Sequence, residues 1–200
     1  MHSAKALKTR ARILETATAL FHSDGYHTTG IDRIIATAEV SKGSFFYHFR
    51  NKEALASAVL AHDLDEALSE FGLADGRAPE GEPRHALLAL LATMAARMSR
   101  PDAQGRPRGC LFGNLAAELS LEPGPLHQEV RAALERLRAL IAELLRGAQQ
   151  RQEIMTTEPP ERLAGMILSL LEGAALLDKS AQRTAELPRA LHFIEQRLLD

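Results

Sequence analysis

Ser41, Lys42, Gly43 and Ser44, with Tyr47 and His48 one turn further on, are the residues whose types and spacing suit recognition rather than bond-making. At the start of a helix, two hydroxyls, a glycine and one cation allow close approach to a phosphate backbone, with the positive dipole end aimed at the anion. Lys42 is the candidate for a base-edge contact, since an ammonium can donate to guanine O6 and N7, and Ser44 can donate or accept. Cys110 is a second candidate. It follows Arg106 and Arg108 at the expected first turn of another helix, where the dipole and both cations would lower the thiol pKa. A lone cysteine in a chain rich in Ala and Leu is also a small buried apolar residue, and both readings stand. One cysteine supports neither an intrachain disulfide nor a zinc finger. The histidines and acids show no metal spacing and the glycines make no phosphate cradle, so no metal, cofactor or catalytic set is expected. His62, His85, His127 and His192 read as surface or core histidines.

The elements that must hold Ser41 to His48 are two short helices joined by a tight turn. Thr29 is expected to cap the first, with Ile31, Ile34 and Ile35 as its apolar face, and Ser41 caps the second. This is the outline of a helix-turn-helix whose second helix enters the DNA major groove. A preceding helix at about 4–22 places Ile13, Leu14, Ala17, Leu20 and Phe21 on one side. Gly25 then stands where a left-handed C-cap is expected. Six of the nine aromatics fall between Phe21 and Phe49, and Phe21, Phe45 and Phe49 read as the core of this unit.

The residues Gly25-Tyr26, Thr29-Gly30-Ile31, Val40 to Phe49 and Asn51-Lys52-Glu53-Ala54-Leu55 resemble the DNA-binding domain of the tetracycline-repressor (TetR) family. The resemblance implies an all-α homodimer: an N-terminal three-helix helix-turn-helix domain grips double-stranded operator DNA, and a larger helical domain senses a small molecule. Carried over by position, it implies DNA contacts at Thr29, Gly30, Ser41, Lys42, Gly43, Ser44, Phe45, Tyr47, His48 and Lys52. Phe45 would pack on a thymine methyl and Lys52 would meet the flanking phosphate. Phe46 stands where the family often has tyrosine and is read as packing. The segment from Gly109 and Cys110 to Glu118 resembles a branch of the family that includes sensors of electrophiles and reactive small molecules.

Charge supports a one-ended contact with nucleic acid. Lys5, Lys8, Arg10, Arg12, Arg33, Lys42, Arg50 and Lys52 stand against Glu15, Asp24, Asp32 and Glu39, a net of +4 for residues 1–52 in a chain whose total is −2. The expected division is a DNA-binding domain at 1–51, with an unstructured lead over residues 1–5, and a sensing and dimerisation domain at 52–200 whose first helix, 52–71, is the connector. Residues 72–83 and 100–109 read as loops. Further helices are expected at 83–98, from 109, at 126–151, from 159 and from Pro188, with no strand pattern. The helices at about 159–178 and 188–199 carry broad apolar faces, and the resemblance implies that they pair with their copies in a second subunit. A pocket for an unidentified effector is expected among the helices between 83 and 178, with Met94, Met98, Cys110, Phe112, Asn114, Glu118, Met166 and Leu170 as candidates. The longest apolar run, 86–96, stops at Arg97, so a cytoplasmic protein with no membrane partner is expected. A repressor, not an enzyme, is the leading reading; a thiol-dependent helical enzyme using Cys110 and a helical protein-interaction adaptor are the alternatives.

Overall fold

The computed structural model describes residues 4–72 and 81–199, so the lead read at 1–5 and the loop read at 72–83 lie largely outside the described residues. Helix α1 (Ala4–Asp24) buries Ile13, Leu14, Ala17, Leu20 and Phe21 at helical spacing. It stops at Gly25, whose φ of +89° is the left-handed conformation that glycine adopts without strain. Helices α2 (Ile31–Thr37) and α3 (Lys42–His48) follow, and both pack on α1.

Ser41 caps α3 as expected, its hydroxyl accepting from the Ser44 N–H at 3.1 Å. Thr29 does not cap α2. The N-cap is Gly30, without a side-chain bond, and the fully buried Thr29 hydroxyl donates to the Gly25 carbonyl at 2.6 Å. The sharp turn after α1 leaves that carbonyl needing a donor inside the protein, and Thr29 supplies it.

Helix α4 (Lys52–Glu70) begins at Asn51, whose Oδ1 accepts from the Ala54 N–H at 2.7 Å. It packs against α1 on one side and against α6 and α7 on the other, as two apolar stripes require. Helices α5 (Pro83–Ser99), α7 (Pro125–Gln150) and α8 (Pro160–Ala181) each open on a proline in the first turn, where its missing N–H costs nothing. Helix α7 is the spine. It buries Leu126, Val130, Ala133, Leu137, Ile141 and Leu145 and packs against α4, α5, α6 and α8. Helix α6 (Leu111–Glu118) is short and touches α1, α4 and α7.

Helix α9 (Glu186–Phe193), continued by a π turn over Ile194–Leu198, starts two residues before Pro188. Asp178 of α8 is the reason: its carboxylate accepts the N–H groups of Ala185, Glu186 and Leu187 at 2.8, 2.7 and 3.1 Å. Three freed donors of the first turn are thereby satisfied from another helix. Among the described residues the one β-like pairing is an isolated bridge between Pro101 and Pro107, inside the loop that leads to α6.

Candidate nucleic-acid interface and effector cavity

At the N-terminal end of α3, Ser41, Lys42 and Gly43 are exposed, Ser44 and His48 are half-buried, and Tyr47 is 66% exposed. The Lys42 ammonium lies 3.8 Å from Asp32, an exposed pair that holds it only loosely. A Cβ added at Gly43 would meet nothing within 4 Å. A glycine in a helix costs roughly 1 kcal/mol relative to alanine, and the fold draws no packing advantage from it here. What glycine does offer is close approach from outside.

Two readings are corrected on this helix. Phe45 is fully buried and meets Phe49 in a tilted ring contact at 6.1 Å between centroids, so it belongs to the core and is closed to a thymine methyl. Phe46, read as packing, is 43% exposed beside it. Neighbouring helical positions point about 100° apart, so only one of the two phenylalanines can face α1. Thr29 is likewise turned inward, leaving Gly30 as the exposed member of that pair.

Lys52 is also committed within the chain. Its ammonium donates to the carbonyls of Tyr26 at 2.8 Å, Thr29 at 3.2 Å and His27 at 3.5 Å, and lies 4.2 Å from the Tyr26 ring centroid. Burial lowers its pKa, opposed by Glu118 and Glu122. Its three donors therefore hold the α1–α2 turn together.

That turn is where the DNA-facing helices meet the body. Glu118, at the end of α6, accepts the N–H groups of Tyr26 at 3.0 Å and His27 at 2.9 Å. A Cβ at Gly25 would lie 2.7 Å from the same carboxylate and would push it off its two N–H partners, while the φ of +89° favours glycine in its own right. Lys179 of α8 donates to the His22 carbonyl at 2.8 Å, a second tie between the body and the end of α1. Glu118 is thus a latch, not a cavity residue.

The cavity itself, about 90 Å³, lies between α1, α4, α5, α7 and the start of α6. Of the expected residues, Met94, Met98, Cys110 and Phe112 line it. Asn114, Met166 and Leu170 do not. The Asn114 amide donates to the Arg108 carbonyl at 3.2 Å, and Met166 and Leu170 lie on the outer face of α8.

The sequence reading missed the polar lining. His22 is only 7% exposed and its Nδ1 has no hydrogen-bond partner in the chain. Burial, then the charges of Arg108, Lys179 and Arg97, lower its pKa to about 4, so it is neutral near pH 7. Asp63, raised by burial despite its 3.0 Å bond to Arg97, faces the same space. Arg97 and Arg100 both pair with Glu70, at 2.6 and 2.7 Å. The one available signal for His22 was its place four residues after Thr18, a polar pair beside the apolar stripe of α1.

Of the two readings of Cys110, its surroundings favour the small buried residue. Burial raises its pKa well above the ordinary thiol value and Glu172 raises it further. Arg106, expected beside it, binds Asp102 instead and holds that carboxyl at about 2. The Cys110 sulfur accepts from the Gly113 N–H at 3.5 Å and caps α6 as a neutral thiol.

A helix-turn-helix presented by three N-terminal helices, latched to a helical body with its own cavity, defines a DNA-binding regulator. Residues 13–59 match the family described as bacterial regulatory proteins, tetR family, and residues 83–194 match the tetracyclin repressor-like C-terminal domain. The chain belongs to the TetR family of transcriptional regulators. It is 34% identical over 176 residues to the transcriptional regulator AcuR of Cereibacter sphaeroides, covering 84% of this chain and 73% of that one. It is 27% identical over 194 residues to the transcriptional repressor NemR of Escherichia coli K12, covering 94% and 92%. The crystal structure of reduced E. coli NemR superposes with a TM-score of 0.78 at 25% identity, over 94% of this chain and 96% of that one. These relatives are transcriptional regulators, not enzymes, and regulators of the family bind DNA and function as dimers. Among the described residues no helix is long and apolar enough to cross a membrane.

Proposed function

We propose that the chain is a cytoplasmic repressor that binds a palindromic operator as a homodimer and lets go when a small molecule enters the cavity beside His22. Residues 1–51 form the DNA-binding domain and 52–200 the sensing and dimerisation domain, joined through α4. Gly30, Ser41, Lys42, Gly43, Ser44, Tyr47 and His48 carry the DNA contacts, with Phe46 added and with Phe45, Thr29 and Lys52 assigned to holding α2 and α3 in place. The observation that carries this reading is Gly43, exposed in the first turn of α3 with open space where a side chain would stand. Two copies would pair through the outer face of α8, where Met166, Leu170 and Leu177 are exposed at helical spacing around Gly173, and through α9, where Phe193 is exposed. A twofold axis between them sets reading helices for half-sites about 34 Å, or a multiple, apart.

Release follows from the cavity touching both α1 and α4. A molecule that fits only when these helices shift disfavours the spacing of the two reading heads that DNA requires. The test is fluorescence anisotropy with the DNA upstream of the protein's own coding region, over a range of salt. Lys42→Ala should flatten the salt dependence by about one unit and relax base preference. Lys52→Ala should lower thermal stability and leave the slope nearly unchanged, because its donors are spent on carbonyls. No affinity for that DNA, or for any duplex at low salt, would overturn the reading.

A further inference from the structure

The cavity's polar groups specify the chemistry of what enters it. His22 is neutral and its Nδ1 meets no partner, and we assign its one ring proton to Nε2, towards the Arg108 backbone. Nδ1 is therefore a buried acceptor, and leaving it unmet is costly. The charged groups around the ring come from every side. Arg108 of the loop before α6 lines the cavity, and among the described residues its guanidinium makes no ion pair, only a 3.0 Å bond from Nε to the Pro101 carbonyl. Arg97 and Arg100 of α5 are shared with Asp63 and Glu70 of α4. Glu66 of α4 lies on the rim, 3.4 Å from His62. Lys179 of α8 reaches the His22 carbonyl, while α7 contributes only Leu137.

The site thus pairs a buried acceptor that lacks a donor with a half-exposed cation that forms no ion pair among the described residues, Arg108, which stands between the cavity and the outer groove beside α1. A carboxyl group entering with one proton satisfies both: the proton is shared with Nδ1 and the remaining charge faces Arg108. The volume sets the size. A cavity of about 150 Å³ holds benzene, so about 90 Å³ suits roughly four or five heavy atoms, the size of acetate or propionate.

Taking the cavity as the effector site of the repressor proposed above, we propose that its ligand is a short-chain monocarboxylic acid, bound with uptake of one proton between His22 Nδ1 and Arg108, its tail against Met94, Met98 and Phe112. The acid enters from solution as its anion and the proton comes from water, so binding weakens as pH rises.

The experiment is calorimetric titration of the full-length protein with propionate, in phosphate and in Tris buffer. The expected result is one site per chain, one proton taken up per molecule bound, and a Kd that rises about tenfold per pH unit above neutrality. Propionamide and propylamine should bind roughly a hundredfold more weakly, and octanoate should be excluded by size. Arg108→Gln should weaken propionate about tenfold or more and keep the proton uptake. His22→Gln, its fold checked by circular dichroism, should abolish the uptake and the pH slope. Propionamide binding as tightly as propionate, binding without proton uptake, or no propionate binding would each overturn the proposal. A protein that holds operator DNA yet ignores propionate overturns this inference alone. One that takes up propionate with its proton but has no DNA affinity overturns the operator reading and leaves the cavity chemistry standing.

Discussion

Phe45 and Phe46 show what one residue position decides. Phe45 fills the space between α1 and α3, so Phe45→Ala should cost about 3–5 kcal/mol in urea denaturation. Phe46→Ala should change stability by less than about 1 kcal/mol and instead weaken operator binding. Both residues are visible in the sequence, but two adjacent phenylalanines in a seven-residue helix offer too little periodicity to say which faces inward. His22 was harder to read, because its significance comes from Arg97, Arg108 and Lys179, which the sequence places far away. Its pKa of about 4 lies below the ordinary histidine value of 6.5, so the unfolded chain binds more protons between those pH values. The stability this represents is fully present above pH 6.5 and is lost as pH falls through 4. Thermal melts across that range should show an acid-side loss on the order of 3 kcal/mol in the wild type, and His22→Gln should flatten it.

Among the elements, helix starts were legible where the signal was local. Ser41 marks the start of α3 as read, and the helices read from 52, 83, 126 and 159 begin within one residue of those positions. The start of α9 was not, because its cap is the Asp178 carboxylate, contributed by α8 across a turn. The role of α6 was misread for a similar reason. Asn114 and Glu118 share a face, as their spacing requires, but that face meets the Arg108 carbonyl and the α1–α2 turn instead of a ligand. Replacing Glu118 by Ala removes the acceptor for two backbone N–H groups. Hydrogen exchange should then accelerate at the Tyr26 and His27 amides while the α3 amides stay protected. Unchanged exchange at those two amides would show that the turn holds its shape without α6.

For the whole molecule, an all-helical fold with a helix-turn-helix ahead of a larger helical domain was legible from the motif and from helical periodicity. Which surface of α8 faces out was not, because inner and outer faces are both rich in Leu and Ala. In the structure Leu177 lies on the outer face with Met166 and Leu170. Leu177→Arg should place like charges across the proposed twofold axis, give a monomer in light scattering, and lose operator affinity while each chain stays folded. Helix α6 has a wider consequence. It stands with the cavity at its first turn and the DNA-facing turn at its last, and eight residues span only about 12 Å. Phe112, which lines the cavity, and Glu118, which holds the α1–α2 turn, therefore ride one stiff rod without sharing a side chain. A substitution at Phe112 can therefore reshape the cavity while Glu118, two turns along the same helix, keeps its bonds to the Tyr26 and His27 amides.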